Sequence, residues 1–327
     1  MPKAHRADVV ENYHGTLVAD PYRWMEDPHS PDTKAWVEGQ NKTTRAFIDG
    51  FSGREDIKHR LTELWDYPKY FVPRKTGTRY FFQKNDGLQN QAVLYMQESL
   101  DSEPALVLDP NKLSNDGTVA LTDFFVAEDA HTIAYSVAEN GSDWQQIRIR
   151  DINSGLDHHD VIRWCKFTNV AWAPDSKGFF YTRFPEPGTV PPEEQSYNSK
   201  VYYHRLGTDQ VEDKLIYERP DFKQLGFHAR ITEDEKYLIL SVWHGTDPQN
   251  RVYYRELASD GPFIRLLDDA DASYDFVGNI GERFYFHSDY QAPKGRVVSI
   301  DVSKPERANW EAVVPEQQDV LASISAI

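Results

Sequence analysis

Four short phrases recur along the chain, each just ahead of a strand-like run, and their spacing limits the folds open to it. Ala127-Glu128-Asp129 precedes Thr132 to Val137, and Ala173-Pro174-Asp175 precedes Gly178 to Arg183. Thr232-Glu233-Asp234 precedes Tyr237 to Val242, and Asn279-Ile280-Gly281 precedes Arg283 to His287. A further run follows each: Gln146 to Asp151, Lys200 to Leu206, Arg251 to Leu257 and Arg296 to Val302. Roughly 45 to 60 residues separate the phrases, the length of one four-stranded propeller blade. The acidic residue in most of them suits a tight turn, where its carboxylate accepts from nearby backbone N–H groups. An earlier hairpin, Arg79 to Lys84 with Ala92 to Gln97, fits the same period-two pattern. The expectation is an open β-propeller of about four to five blades: four from Tyr70 to about Lys304, with Trp310 to Ile327 opening a fifth. A β-sandwich or several small sheets is the competing arrangement, and the recurring order of strand, turn, strand, loop and strand favours the propeller over it.

The first seventy residues follow a different pattern. Ser30 suits an N-cap and Pro31 the first helical position, and Asp32 lies at the positive end of the helix dipole. A helix is expected from Pro31 to Asp49 and a second from Arg54 to Trp65. In the second, Ile57, Leu61, Leu64 and Trp65 fall on one face, and that face needs a cover. The expected division is a helical segment over 1–70 and a partial propeller over 71–327.

Charge and hydropathy narrow the function. Lys plus Arg number 36 against 52 Asp plus Glu, a net charge of −16, which repels phosphate backbones. Nucleic acid is therefore not an expected partner. Mean hydropathy is −0.66, and no apolar run approaches a membrane span. The single cysteine, Cys165, rules out an internal disulfide framework, and a cytoplasmic setting is expected.

The motifs of several chemistries are missing from the sequence. It has no Gly-x-Ser-x-Gly, and Gly50-Phe51-Ser52-Gly53 reads as a cap between the two helices. It also has no His-Glu-x-x-His, paired cysteines or Gly-rich phosphate loop. Asp157-His158-His159-Asp160 reads as a solvated charged loop in preference to a metal site. Cys165 reads as a buried small residue. No cofactor or metal is expected.

Several phrases together resemble the prolyl oligopeptidase (prolyl endopeptidase) family: DPYRWMEDP, TKAWVEGQNK, LWDYPKY, GLQNQAVLY, LDPNKLSNDGTVAL, NGSDW, KFTNVAW, YYHRLGTDQ, DPQNRVYY and VPEQQDVL. They occur in the family's order and cover essentially the whole chain. The resemblance implies an α/β-hydrolase domain built from two separated parts of the chain, with a seven-bladed propeller between them that gates access to the active site. Residues 1 to about 70 would be the N-terminal part of that hydrolase domain, and the Ser, Asp and His triad would belong to a C-terminal part that this sequence lacks. No catalytic residue is therefore carried over.

Propeller residues that face the substrate in the family can be carried over. Phe167 in KFTNVAW resembles an aromatic that lines the pocket beyond the proline site. Leu225 in KQLGF stands where members often have Met, and Thr246 in WHGTDP where some have Cys, which makes that wall polar. Asp143 and Trp144 in NGSDW resemble a loop near the domain interface. The expectation is the N-terminal and propeller portion of a serine endopeptidase that cleaves short proline-containing peptides, inactive by itself. Its partners would be such peptides and the missing hydrolase domain. The rival reading is a non-catalytic propeller module that binds peptide or protein.

Overall fold

Ser30 caps the first helix as its position suggests, its Oγ accepting from the Thr33 N–H at 3.2 Å. The computed structural model, which describes residues 3–325, gives helix α1 as Pro31–Asp49 and α2 as Arg54–Trp65, and both match the expected bounds. Gly50 ends α1 and Gly53 precedes α2, so the Gly-Phe-Ser-Gly stretch is the inter-helix cap. Ahead of them, Val10–Tyr13 and Thr16–Ala19 form a hairpin turned by His14 and Gly15, both at positive φ. Arg23 clamps this segment through two bonds to Glu11, at 2.8 and 2.7 Å, and one to Asp20 at 2.6 Å. The helices leave much apolar surface in solvent. Phe47 is 85 % exposed, and Ile57, Leu61 and Leu64 are each more than half exposed.

Residues up to Pro68, with Asp86–Leu88, form one compact unit. Lys69–Asn85, with the chain from Gln89 onward, forms the other. The second unit is five antiparallel sheets in chain order. The first is built on Arg79–Asn85, Val93–Gln97 and Ala105–Leu108, and the second runs from Val119–Val126 to Asp157–Cys165. The third runs from Ala171–Trp172 to Lys214–Tyr217, the fourth from Leu225–Ile231 to Ile264–Leu267, and the fifth from Tyr274–Ile280 to Glu311–Val314.

Four hydrophobic cores join each sheet to the next, which makes the unit an open series of propeller blades. Phe81 and Leu94 meet Ile133 and Tyr135 between the first two sheets. Ile147 and Ile162 meet Phe179 and Tyr181 between the second and third. Phe180 and Val201 meet Phe227 and Leu240 between the third and fourth, and Ile239 and Tyr254 meet Phe284 and Ile300 between the last two. Phe179 and Tyr181 face one neighbour and Phe180 the other, so the strand reads GFFYTR with almost no polar alternation. Each such buried side chain contributes roughly 1.5–3 kcal/mol by area.

Two expectations need correcting. Glu311–Val314 pairs with Arg296–Asp301 as the fourth strand of the fifth sheet and does not begin a new one. The described residues therefore make five blades, within the expected four to five, because the hairpin at Arg79 already belongs to a blade of its own. The Asp157 to Asp160 run is also not a solvated loop. It opens the strand Asp157–Cys165, and its alternation turns Asp160 and Ile162 inward, at 3 % and 0 % exposure.

Candidate functional site

An aromatic pocket of about 700 Å³ opens between the third and fourth sheets. It lies on the rim that carries the turns between second and third strands and the connections from one sheet to the next. Phe167 comes from the link between the second and third sheets. Phe184, Ser196 and Tyr197 come from the long loop between Gly178–Arg183 and Lys200–Arg205. The fourth sheet contributes His228, Trp243 and Thr246.

Phe167 holds a left-handed backbone, φ 48°, which is unfavourable for a side chain of this size. A hydrogen bond helps hold it there: His228 donates from Nε2 to the Phe167 carbonyl at 2.7 Å, so Nε2 carries a proton. The Phe167 ring is half exposed and stands edge-on to Trp243, with centroids 6.3 Å apart. Trp243 pairs with Gly226 across the sheet, and its indole lies where a Cβ on residue 226 would sit, 2.0 Å from that position. Only glycine leaves room for the indole to lie flat there. His244 Nδ1 donates to Asp247 at 2.8 Å, which fixes the ring at the pocket edge.

Phe167 and Thr246 thus share one pocket. Leu225 does not. It is 2 % exposed and packs with Phe180, Val201 and Phe227 in the core between the third and fourth sheets. Period-two alternation explains this, because Leu225, Phe227 and Ala229 share the core-facing side while Gly226 and His228 take the other. Asp143 is exposed and outside the pocket lining. Trp144 is half-buried, and its ring lies 3.9 Å from Lys166 Nζ, next to Phe167 in the chain. Sequence reasoning missed Trp243, His228 and Tyr197. A glycine cross-strand from a tryptophan would have pointed to the first, but only once the register was known.

Cys165 is fully buried, and that burial pushes its thiol far above the ordinary range, so it is no nucleophile. Among the described residues, no group of three or more His, Cys, Asp or Glu is placed to hold a metal. No helix among them is long and apolar enough to cross a membrane.

The family model for the prolyl oligopeptidase N-terminal beta-propeller domain matches residues 2–327. A prolyl endopeptidase of Elizabethkingia meningoseptica is 34 % identical over 322 residues, which is 98 % of this chain and 45 % of that protein. Prolyl oligopeptidase A of Galerina marginata is 32 % identical over 363 positions, covering all of this chain and 49 % of that protein. A structure from a study of two prolyl endopeptidases and their inter-domain dynamics superposes with a TM-score of 0.88 at 32 % identity, over 97 % of this chain and 46 % of its own. Prolyl oligopeptidase B of Galerina marginata, bound to a 35-residue hydrolysis and macrocyclization substrate, gives 0.85 at 27 % identity, over 99 % of this chain and 48 % of its own. The chain therefore spans about half the length of the relatives it matches.

Proposed function

Since the chain belongs to the prolyl oligopeptidase family, we propose that it is the helical and propeller portion of a serine endopeptidase that cleaves short peptides on the carboxyl side of proline. The observation that carries this reading is the pocket of Phe167, Trp243, Tyr197 and Thr246 on one rim of the propeller. An extended peptide can lay apolar side chains against such a wall while its polar backbone stays near the open side. The chemistry would come from a hydrolase portion outside these 327 residues, with a serine attacking the carbonyl, a histidine as base and backbone donors holding the oxyanion. The exposed apolar faces of α1 and α2, with Phe47, Leu61 and Leu64, are the surface such a portion would cover. In this reading Phe167 and Thr246 contact residues that precede the proline, Asp143 and Trp144 lie toward the interface, and Leu225 supports the wall from behind. A cytoplasmic setting belongs to the same proposal.

Binding and hydrolysis together test it. The purified chain should bind a blocked, neutral proline-containing tetrapeptide, seen as a saturable change in tryptophan fluorescence, and Phe167→Ala should weaken that binding. It should release nothing from a chromogenic proline dipeptide. Turnover that survives repurification and is abolished by a serine-directed inhibitor would overturn the division of labour. Absence of any peptide binding would overturn the wall.

A further inference from the structure

Lys166 is 9 % exposed, yet its ammonium has no carboxylate within ion-pair distance among the described residues. Nζ lies 3.9 Å from the centroid of the Trp144 ring and donates to Ser196 Oγ at 3.3 Å. Asp143 acts on it only through longer-range charge, and desolvation lowers its pKa. The chain carries 52 acidic residues, yet among the described residues none forms an ion pair with this cation. A buried charge without a counter-ion is costly, and that cost falls when an anion arrives.

Ser196 gives this cation a direction. An ammonium only donates, so the Ser196 hydroxyl must accept from it and turn its own proton elsewhere. Among the described residues that hydroxyl donates to none, and Ser196 lines the aromatic pocket. The result is a hydroxyl donor, polarised by a cation behind it, set in a wall otherwise dominated by Phe167, Phe184, Tyr197 and Trp243.

We propose that Lys166 and Ser196 form a carboxylate-recognition point at the margin of the aromatic pocket, and that the chain selects short peptides bearing a carboxylate there. This rests on the peptide-wall reading above and goes beyond it by naming a charge preference. A purely structural role for the same pair would be to tie the 184–199 loop to the end of the second sheet, and that role makes no distinction between acidic and neutral peptides.

The test uses the whole chain and three blocked tetrapeptides ending in proline amide, with Glu, Gln or Lys at the first position. A fourth peptide has Ala there and a free C-terminal carboxylate. Dissociation constants come from tryptophan fluorescence and calorimetry. Glu should bind roughly tenfold tighter than Gln, and Lys weaker than both. In Lys166→Met the preference for Glu over Gln should vanish while the Gln peptide binds within about twofold of its original strength. Ser196→Ala should shrink the preference without altering the fold, and it keeps the test decisive if Lys166→Met does not fold. A gain confined to the free C-terminus would assign the point to a terminal carboxylate in place of a side chain. Equal affinity for all four peptides, or a preference that persists in both variants, would overturn the proposal and leave the peptide wall standing. Failure of every peptide to bind would overturn both.

Discussion

Tyr181 donates its phenolic hydrogen to Asp213 Oδ2 at 2.6 Å, and the other oxygen of that carboxylate lies 2.7 Å from His204 Nδ1. The second sheet repeats the arrangement. Tyr135 donates to Asp157 at 2.9 Å, and Arg150 meets the same carboxylate at 2.6 Å. The repeat holds residue by residue. Tyr135 pairs with Arg148 and Tyr181 with Tyr202, so Arg150 and His204 each stand two positions beyond the partner of their tyrosine. Both sheets thus close their outer strand with a tyrosine, an aspartate and a nitrogen-bearing side chain.

The two clasps differ in burial, and this predicts different costs. The Asp213 and His204 side chains are fully enclosed, whereas Asp157 is about one-third exposed at 35 %. Tyr181→Phe leaves a buried carboxylate oxygen without its donor and should cost about 1–3 kcal/mol. Tyr135→Phe leaves an oxygen that water can reach and should cost less than about 1 kcal/mol. Urea midpoints at constant slope give both values. Equal losses would mean that the enclosure of Asp213 does not set the cost.

The same contrast shows how far the sequence could be read. Ser30, Pro31 and the paired glycines fixed the helix bounds because caps are local. The strands at Thr132, Gly178, Tyr237 and Arg283 were legible because a turn phrase announced each one. The inward turn of Asp160 was not, because DHHD is polar at every position and only the strand's phase separates its inner from its outer residues. Trp310 to Ile327 reads as an opening blade because no turn phrase ties it to the sheet before it, whereas Glu311–Val314 is that sheet's outer edge, with three of its four residues exposed. The resemblance offers Phe167, Thr246 and Leu225 alike, and the structure puts the first two in one pocket; whether Leu225 faces that pocket or the core depends on a register that no local pattern supplies.

High pH should expose the tyrosine clasp. Burial, the hydrogen bond to Asp157 and its negative charge push the Tyr135 hydroxyl up to about 12. An unfolded tyrosine titrates near 10. The folded state therefore favours the protonated form, and the stabilisation is complete below about pH 10 and lost as pH rises through about 12. Unfolding midpoints measured from pH 9 upward should fall over that window, and fall less in Tyr135→Phe. Identical slopes in the two proteins would remove Tyr135 from the effect.

Gly226 should tolerate nothing larger. A Cβ there would stand 2.0 Å from Trp243 Cζ2 and 2.2 Å from Cε2, so the indole must leave the sheet. Gly226→Ala should cost about 1–3 kcal/mol through overpacking. It should also shift tryptophan emission to longer wavelength and weaken peptide binding, because the displaced ring takes up pocket space. Unchanged emission with full stability would show that the indole moves aside without cost.

Phe167 and Leu225 offer the sharpest contrast, since one lines the pocket and the other lies in the core behind it. Phe167 is half exposed at 50 %, so Phe167→Ala removes little buried area from the folded chain and should change stability by less than about 1 kcal/mol. It also removes the edge-on partner of Trp243, and peptide affinity should fall roughly tenfold. Leu225 is 2 % exposed among Phe180, Val201 and Phe227, so Leu225→Ala opens a cavity and should cost about 2–5 kcal/mol. Provided the variant stays folded at low temperature, its peptide affinity should remain within about threefold of the original, because Leu225 does not line the pocket. Urea unfolding and peptide titration on the same preparations separate the two effects. A Leu225→Ala variant that kept its stability but lost peptide binding would put this side chain on the peptide wall, and the register that turns it inward would be wrong.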